Sequence, residues 1–416
     1  MHENSSSWIS EGTVTIVSGQ GRELENASAQ AGGDAIPMKR FTRRAFVLGI
    51  AIGAFASRFL RASEKAGQLI FIGTYTKKSS RGIYAYRWSS QSGEMTEIGL
   101  AAETPNPSFL ALAPGHKDLY AVNENGSRPG TVSGFLIAPL SGKLWPKNTV
   151  PSGGSGPAHL TTDHTDQVLF VANYNSGSVS SYKILSDGNL SEPISDIYFP
   201  GGSVNPERQK TAHTHCTTVS PDNRYLLIND LGLDRIMVYH FDPKTAKLTP
   251  NDPPFYSAIP GSGPRNLTFH PNGRWAYSIN EIVSTLDCLN WDPSKGTLTR
   301  FQNISTLPMD HESPTDAATV AVHPNGRFLY ASNRGDDSIT TFSIDPGNGR
   351  LTLIQRISCE GNSPRHFAVD PGGKWLIVAN QDSANIVVLR CNPHTGKLSA
   401  TGRQYPLDSP VCVIFD

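Results

Sequence analysis

Phe269-His-Pro-Asn-Gly-Arg-Trp-Ala-Tyr-Ser-Ile-Asn280 and Val322-His-Pro-Asn-Gly-Arg-Phe-Leu-Tyr-Ala-Ser-Asn333 are two copies of one pattern. An apolar run ends at a Pro-Asn-Gly turn, an aromatic-rich strand follows, and an Asn closes it. Pro-x-Gly is tight-turn chemistry, so each copy reads as a hairpin of two strands. Outward from these, Val369-Asp-Pro-Gly-Gly-Lys-Trp-Leu-Ile-Val-Ala-Asn380 and Val219-Ser-Pro-Asp-Asn-Arg-Tyr-Leu-Leu-Ile-Asn-Asp230 follow the same plan, and Asn123 and Asn173 close two weaker copies. The closing positions advance by 50, 57, 50, 53 and 47 residues. A third alternating run follows the hairpin, as in Ser338-Ile-Thr-Thr-Phe-Ser-Ile344. A Gly-x-Leu turn then leads into a fourth, as in Gly349-Arg-Leu-Thr-Leu-Ile354. Four antiparallel strands in about 50 residues make one blade of a β-propeller.

The blade count follows from the two ends of the repeat. Gln68-Leu-Ile-Phe-Ile-Gly-Thr-Tyr-Thr76 resembles a second strand without a first, and Pro410-Val-Cys-Val-Ile-Phe415 a first strand with nothing after it. Together they complete a seventh blade and remove two open sheet edges. The expected fold is therefore all-β: a seven-bladed β-propeller over residues 67–416, with four-stranded antiparallel blades and a ring closed by its N- and C-terminal strands.

The rest of the chain is different. Residues 1–37 are rich in Ser, Gly, Ala and Asn without apolar periodicity, and read as a disordered or untranslated extension. Residues 38–66 carry Thr42-Arg43-Arg44-Ala45-Phe46-Val47 and an apolar run from Leu48 to Phe55. Twin arginines before such a core form a twin-arginine export signal, and the run is too short to span a bilayer comfortably. Met38 is then the expected start. The protein should be exported by the twin-arginine machinery to the periplasm or another extracytoplasmic space. Thirty-six basic against 36 acidic side chains argue against a nucleic-acid binder, which needs a basic face. Five cysteines without CxxC spacing suggest neither a zinc site nor a disulfide framework.

Antiparallel pairing brings the start of each first strand and the end of each second strand to one mouth of the ring. At the first-strand start stand Ser108, Ala158, His215, Arg265, Ala318 and Arg365; at the second-strand end stand Glu124, Tyr174, Leu231, Glu281, Arg334 and Gln381. These positions diverge where a repeat built only for packing would keep them alike, which marks them as a candidate site. Arg265 and Glu281 share a blade and read either as a structural pair or as an anion clamp with a proton carrier. Arg365 and His366 occupy an equivalent register and could extend the clamp. His213 and His215 alternate onto one face, where they could transfer protons, hydrogen-bond a substrate or take structural roles; no further ligand follows at metal spacing. His159 and Glu124 are further candidates at the mouth. With no Gly-x-Ser-x-Gly elbow, phosphate loop or dinucleotide fingerprint, catalysis would be general acid–base and electrostatic.

Phe71-Ile-Gly-Thr-Tyr-Thr76, Ala212-His-Thr-His215, Gly263-Pro-Arg265, Ile279-Asn-Glu281, Ser332-Asn-Arg-Gly335 and Pro364-Arg-His366 resemble the lactonase family of seven-bladed propellers. That family includes 6-phosphogluconolactonases and fungal carboxymuconate cyclases. The resemblance covers about residues 68–416 in order. It implies a small lactone or carboxylate as substrate, no cofactor and no metal. It also implies site roles for a His (His213 or His215), Arg265, Arg334 and Glu281. One departure is that the usual Gly-Pro-Arg-His reads Gly-Pro-Arg-Asn at Asn266.

The resulting expectation is a monomeric lactone hydrolase resembling 6-phosphogluconolactonase, acting at the channel mouth. Glu281, His215 and His213 are its catalytic candidates, and Arg265, Arg334, Arg365 and His366 its substrate-binding ones. A carboxymuconate-type lactonising cyclase and a non-catalytic exported binding propeller are the alternatives.

Overall fold

The computed structural model describes residues 67–416 apart from Ser127 and Glu312; the expected extension (1–37) and export signal (38–66) lie outside the described residues. Twenty-eight strands form seven four-stranded antiparallel sheets. We number the blades around the ring. Blade 1 pairs Pro410–Phe415 with three strands from Gln68–Thr74 to Glu94–Glu103. Blades 2 to 7 follow in chain order over residues 110–155, 157–198, 214–257, 264–305, 316–358 and 364–406. Pro410–Phe415 runs antiparallel to Gln68–Thr74, with Phe71 opposite Ile414 and Thr74 opposite Pro410, so the two chain ends close the ring. The first strand of each blade packs against the first strands of both neighbours in an unbroken cycle, which puts all seven around the axis.

The apolar side chains form seven clusters, one between each pair of adjacent blades. The second strands show how. Successive side chains of a strand point to opposite faces: Leu226 and Ile228 pack towards blade 3, while Tyr225 and Leu227 pack towards blade 5. Both faces are covered, so Trp275–Asn280 and Trp375–Asn380 are buried throughout. These strands therefore read as unbroken apolar runs rather than alternating ones. Each fully buried aliphatic or aromatic side chain stabilises the ring by roughly 1.5–3 kcal/mol. All five cysteines are buried and free, as small core residues.

Two repeated words in the sequence turn out to be one joint. The Gly of the turn between third and fourth strands lies on the aromatic residue that heads the second strand of the preceding blade. A Cβ at Gly349 would stand 2.5 Å from Trp275, and one at Gly93 would stand 2.7 Å from Trp375. Gly349 also has φ +74°, a backbone region costly for residues with a Cβ. The Tyr277 hydroxyl donates to the Gly349 carbonyl at 2.8 Å, and Tyr330 repeats this with Gly396 at 3.1 Å. The closing Asn is a staple. In blades 3 and 7 its side-chain amide donates to the backbone of the segment preceding the blade, Asn173 to Ser152 O at 2.9 Å and Asn380 to Cys359 O at 3.1 Å.

Candidate active site

Six of the seven first strands, all but that of blade 2, enter the mouth through a bulge. Pro264 faces Asn280 but Asn266 faces Ile279, which leaves Arg265 as an extra residue between two paired ones. Arg365, Ala158 and His215 are the extra residues of blades 7, 3 and 4, and Val411 that of the closing blade. A bulge takes a side chain off the regular alternation of the strand; here all five are turned to the axis, where they line one small cavity together with Ser108 and His366. Its volume is about 20 Å³, room for hardly more than one water. The axis is closed at this level, so a small-molecule ligand has to sit above it, in the open mouth.

Glu281 directly follows the second strand of blade 5 and is only 4% exposed. Its Oε2 stands 2.7 Å from Arg265 Nε and 2.9 Å from Arg334 Nη2, while Oε1 accepts from Arg208 Nη2. The Arg265 Nε and Arg334 Nη2 contacts are close, but neither N–H points at its oxygen, so they are electrostatic rather than hydrogen-bonded. Arg265 Nη1 donates to Ala318 O, and Arg334 Nε to Asp316 O at 3.2 Å. Burial pushes the Glu281 carboxyl up, but Arg334 and Arg265, with Arg208, outweigh it and hold the group well below the usual carboxylate range. Burial and the like charge of Arg334 lower Arg265 to about 9, against the pull of Glu281. It remains a cation at neutral pH.

The two histidines of Ala212-His-Thr-His215 part company. His213 precedes the strand Thr214–Val219 and stacks on Tyr174 with ring centroids 4.6 Å apart, its Nδ1 3.0 Å from Tyr174 O. His215 meets the same ring edge-on at 5.5 Å and continues into the axial cavity. Burial, then Arg265 and Arg365, hold His215 well below the ordinary imidazole range, so it is neutral. His366 is lowered to about 3, chiefly by burial, and its Nδ1 accepts the Val413 N–H at 3.2 Å. His159, likewise lowered to about 3 by burial, packs on Phe109 at 4.0 Å. Asn266, which stands where the family usually has His, accepts from Val320 N–H at 3.3 Å and joins the cavity lining.

Arg365 differs from its counterparts. Its guanidinium lies 5.4 Å from the Tyr75 ring centroid and has no ion-pair partner among the described residues. It borders both the axial cavity and an open cleft of about 710 Å³ between blades 7, 1 and 2, where Tyr75, Lys77, Glu124, Arg128 and Gln381 also lie. Tyr75 donates to Glu124 Oε2 at 2.8 Å. The mouth thus holds Arg265, Glu281 and Arg334 in one cluster and Arg365 beside it, while His213 stays at the rim.

Sequence reasoning missed Arg208 and Tyr75. Arg208 sits on 199–213, the longest connection between blades. Asn205 Oδ1 accepts the Arg208 N–H at 3.0 Å, and Gln209 Nε2 anchors the loop to Leu231 O at 2.8 Å. From there Arg208 reaches Glu281 and Asp316, the latter at 3.1 Å. The step of 57 residues between Asn173 and Asp230 is the trace such a loop leaves. Tyr75 follows Thr74, which faces Pro410 as Asn280 faces Pro264. It is therefore the seventh member of the ring that contains Glu124 and Glu281. Among the described residues, no group of three or more His, Cys, Asp or Glu is placed to hold a metal ion.

The family model described as Lactonase, 7-bladed beta-propeller, matches residues 69–415. A 6-phosphogluconolactonase of Bacillus subtilis is 34% identical over 71% of this chain and 83% of its own length. A 6-phosphogluconolactonase of Formosa agariphila is 36% identical over 72% and 86%. The solved structure of a periplasmic gluconolactonase from Pseudomonas aeruginosa superposes with a TM-score of 0.80 at 34% identity, covering 84% of this chain and 98% of that one.

Proposed function

Because this chain belongs to the lactonase family of seven-bladed β-propellers, we propose that it is a lactone hydrolase that opens a small sugar lactone at the mouth described above. The observation that carries this reading is the gathering of Arg208, Arg265 and Arg334 around one buried carboxylate, Glu281, with the unpaired Arg365 beside them, over a closed axis. Ring opening passes through a tetrahedral oxyanion and ends in a carboxylate. A cationic, preorganised floor with little water stabilises both. The relatives named 6-phosphogluconolactonase support the reaction class. The twin-arginine segment and the likeness to a periplasmic gluconolactonase support work outside the cytoplasm, where sugar phosphates are scarce and an unphosphorylated lactone is the fitting substrate.

In this reading Arg265 and Arg334 set the positive potential, Arg365 meets the substrate, and neutral His215 and His366 floor the site. His213 serves as a hydrogen-bonding group at the rim. Glu281 holds its arginines in register. A carboxylate kept well below its ordinary range is a weak base. For the same reason it carries no proton at neutral pH to deliver to an alkene, which argues against Glu281 as the proton donor of a muconate-type cyclase.

The test is a titration of acid release from D-glucono-δ-lactone. The purified protein should open the ring well above the buffer rate; equal rates across a panel of sugar lactones would sink the proposal.

A further inference from the structure

Arg265 and Arg334 both face Glu281, and Arg208 bridges Glu281 to Asp316. Each of the three already faces a carboxylate. Arg365 is different: it is held in place by an aromatic ring and borders the cleft without a carboxylate against it. The residue that follows the second strand of its own blade, where blade 5 has Glu281, is the uncharged Gln381, whose Oε1 is buried without a hydrogen-bond partner.

The base available nearby is also not Glu281. Glu124 lines the same cleft, is half-buried, and accepts one hydrogen bond, from Tyr75 at 2.8 Å. The Tyr75 ring lies between Arg365 at 5.4 Å and Lys77 at 4.8 Å, so one side chain fixes both the cation and the carboxylate. Arg128 and Lys77 close the outer side of the cleft.

We propose that this cleft between blades 7, 1 and 2 seats the lactone ring, with Arg365 receiving the carbonyl oxygen and Glu124 activating the water. The assignment rests on the lactone-hydrolase reading and names the working groups within it. The water oxygen bonds to the carbonyl carbon while one of its protons passes to Glu124, and Arg365 takes the charge developing on the carbonyl oxygen. The ring C–O bond then breaks. The proton on Glu124 goes to the departing alkoxide, leaving a hydroxy acid that ionises against Arg365.

Two measurements test the assignment on the full chain. In turnover of D-glucono-δ-lactone, Glu124→Gln keeps an acceptor for Tyr75 and should lower kcat by about 100-fold with an unchanged Tm; kcat within threefold of wild type would overturn Glu124 as the base. In calorimetry with D-gluconate, Arg365→Gln should weaken binding at least about tenfold, while Glu124→Gln binds as well as wild type or better. Gluconate that binds Arg365→Gln as tightly as wild type, or does not bind wild type at all, overturns the site. A wild type that binds gluconate through Arg365 without opening any lactone would overturn hydrolysis and the role of Glu124, and would uphold the cleft as a carboxylate site.

Discussion

Pro264-Arg265 and Pro364-Arg365 are the same motif in blades 5 and 7, each Arg being the extra residue of the same bulge. Their surroundings differ. In blade 5 the second strand is followed by Glu281, which stands 2.7 Å from Arg265, while in blade 7 it is followed by Gln381, and Arg365 lies over Tyr75. One arginine is consumed in a buried ion cluster and the other remains available at a cleft. In a repeat frame the strand fixes where a side chain stands, and the neighbouring position decides what that side chain can do.

The broadest break removes the frame that both arginines share. Deleting residues 410–416 takes away the first strand of blade 1 and exposes the edge at Gln68–Thr74. Cooperative thermal unfolding should be lost or fall sharply; a deletion mutant with wild-type Tm would refute ring closure as a source of stability.

Glu281→Gln strikes one side of the comparison. Three guanidiniums would lose their shared partner, at a cost of about 3–5 kcal/mol. The sign with pH follows from the lowered carboxyl. Its stabilisation is complete above the ordinary value of 4.5 and is lost as pH falls below it. The gap in denaturation midpoint between wild type and variant should therefore be widest near neutrality and narrow on acidification; a gap independent of pH would contradict the cluster.

Gln381→Glu sharpens the comparison by giving Arg365 the partner that Arg265 already has. Stability should change little. Gluconate affinity should fall about tenfold, or about 1.4 kcal/mol, measured by the same calorimetry. Unchanged affinity would show that an adjacent carboxylate is not what separates the two arginines.

Much of the mouth was legible because it lies in register. Arg265, Glu281 and Arg334 could be found by stepping along the repeat, and His215 and Arg365 likewise occupy equivalent bulge positions. Arg208 could not, since it comes from a connection whose path is set by Asn205 and Gln209 rather than by the blade plan. The placement of His213 was not legible for a related reason. Period-two alternation holds inside a strand, but His213 precedes Thr214 and the register shifts between Thr214 and Cys216.

From the sequence alone came the unit, the count and the register: four strands per blade, seven blades, and two rings of positions at one mouth. Those depend on local turn chemistry and on alternation of side chains, which a chain carries wherever it goes. Which histidine reaches the axis, which carboxylate stays open and which further arginines join Glu281 were decided only in the closed ring. Arg334 and Arg208 reach Glu281 from outside its blade, and no spacing along the chain encodes such contacts between elements.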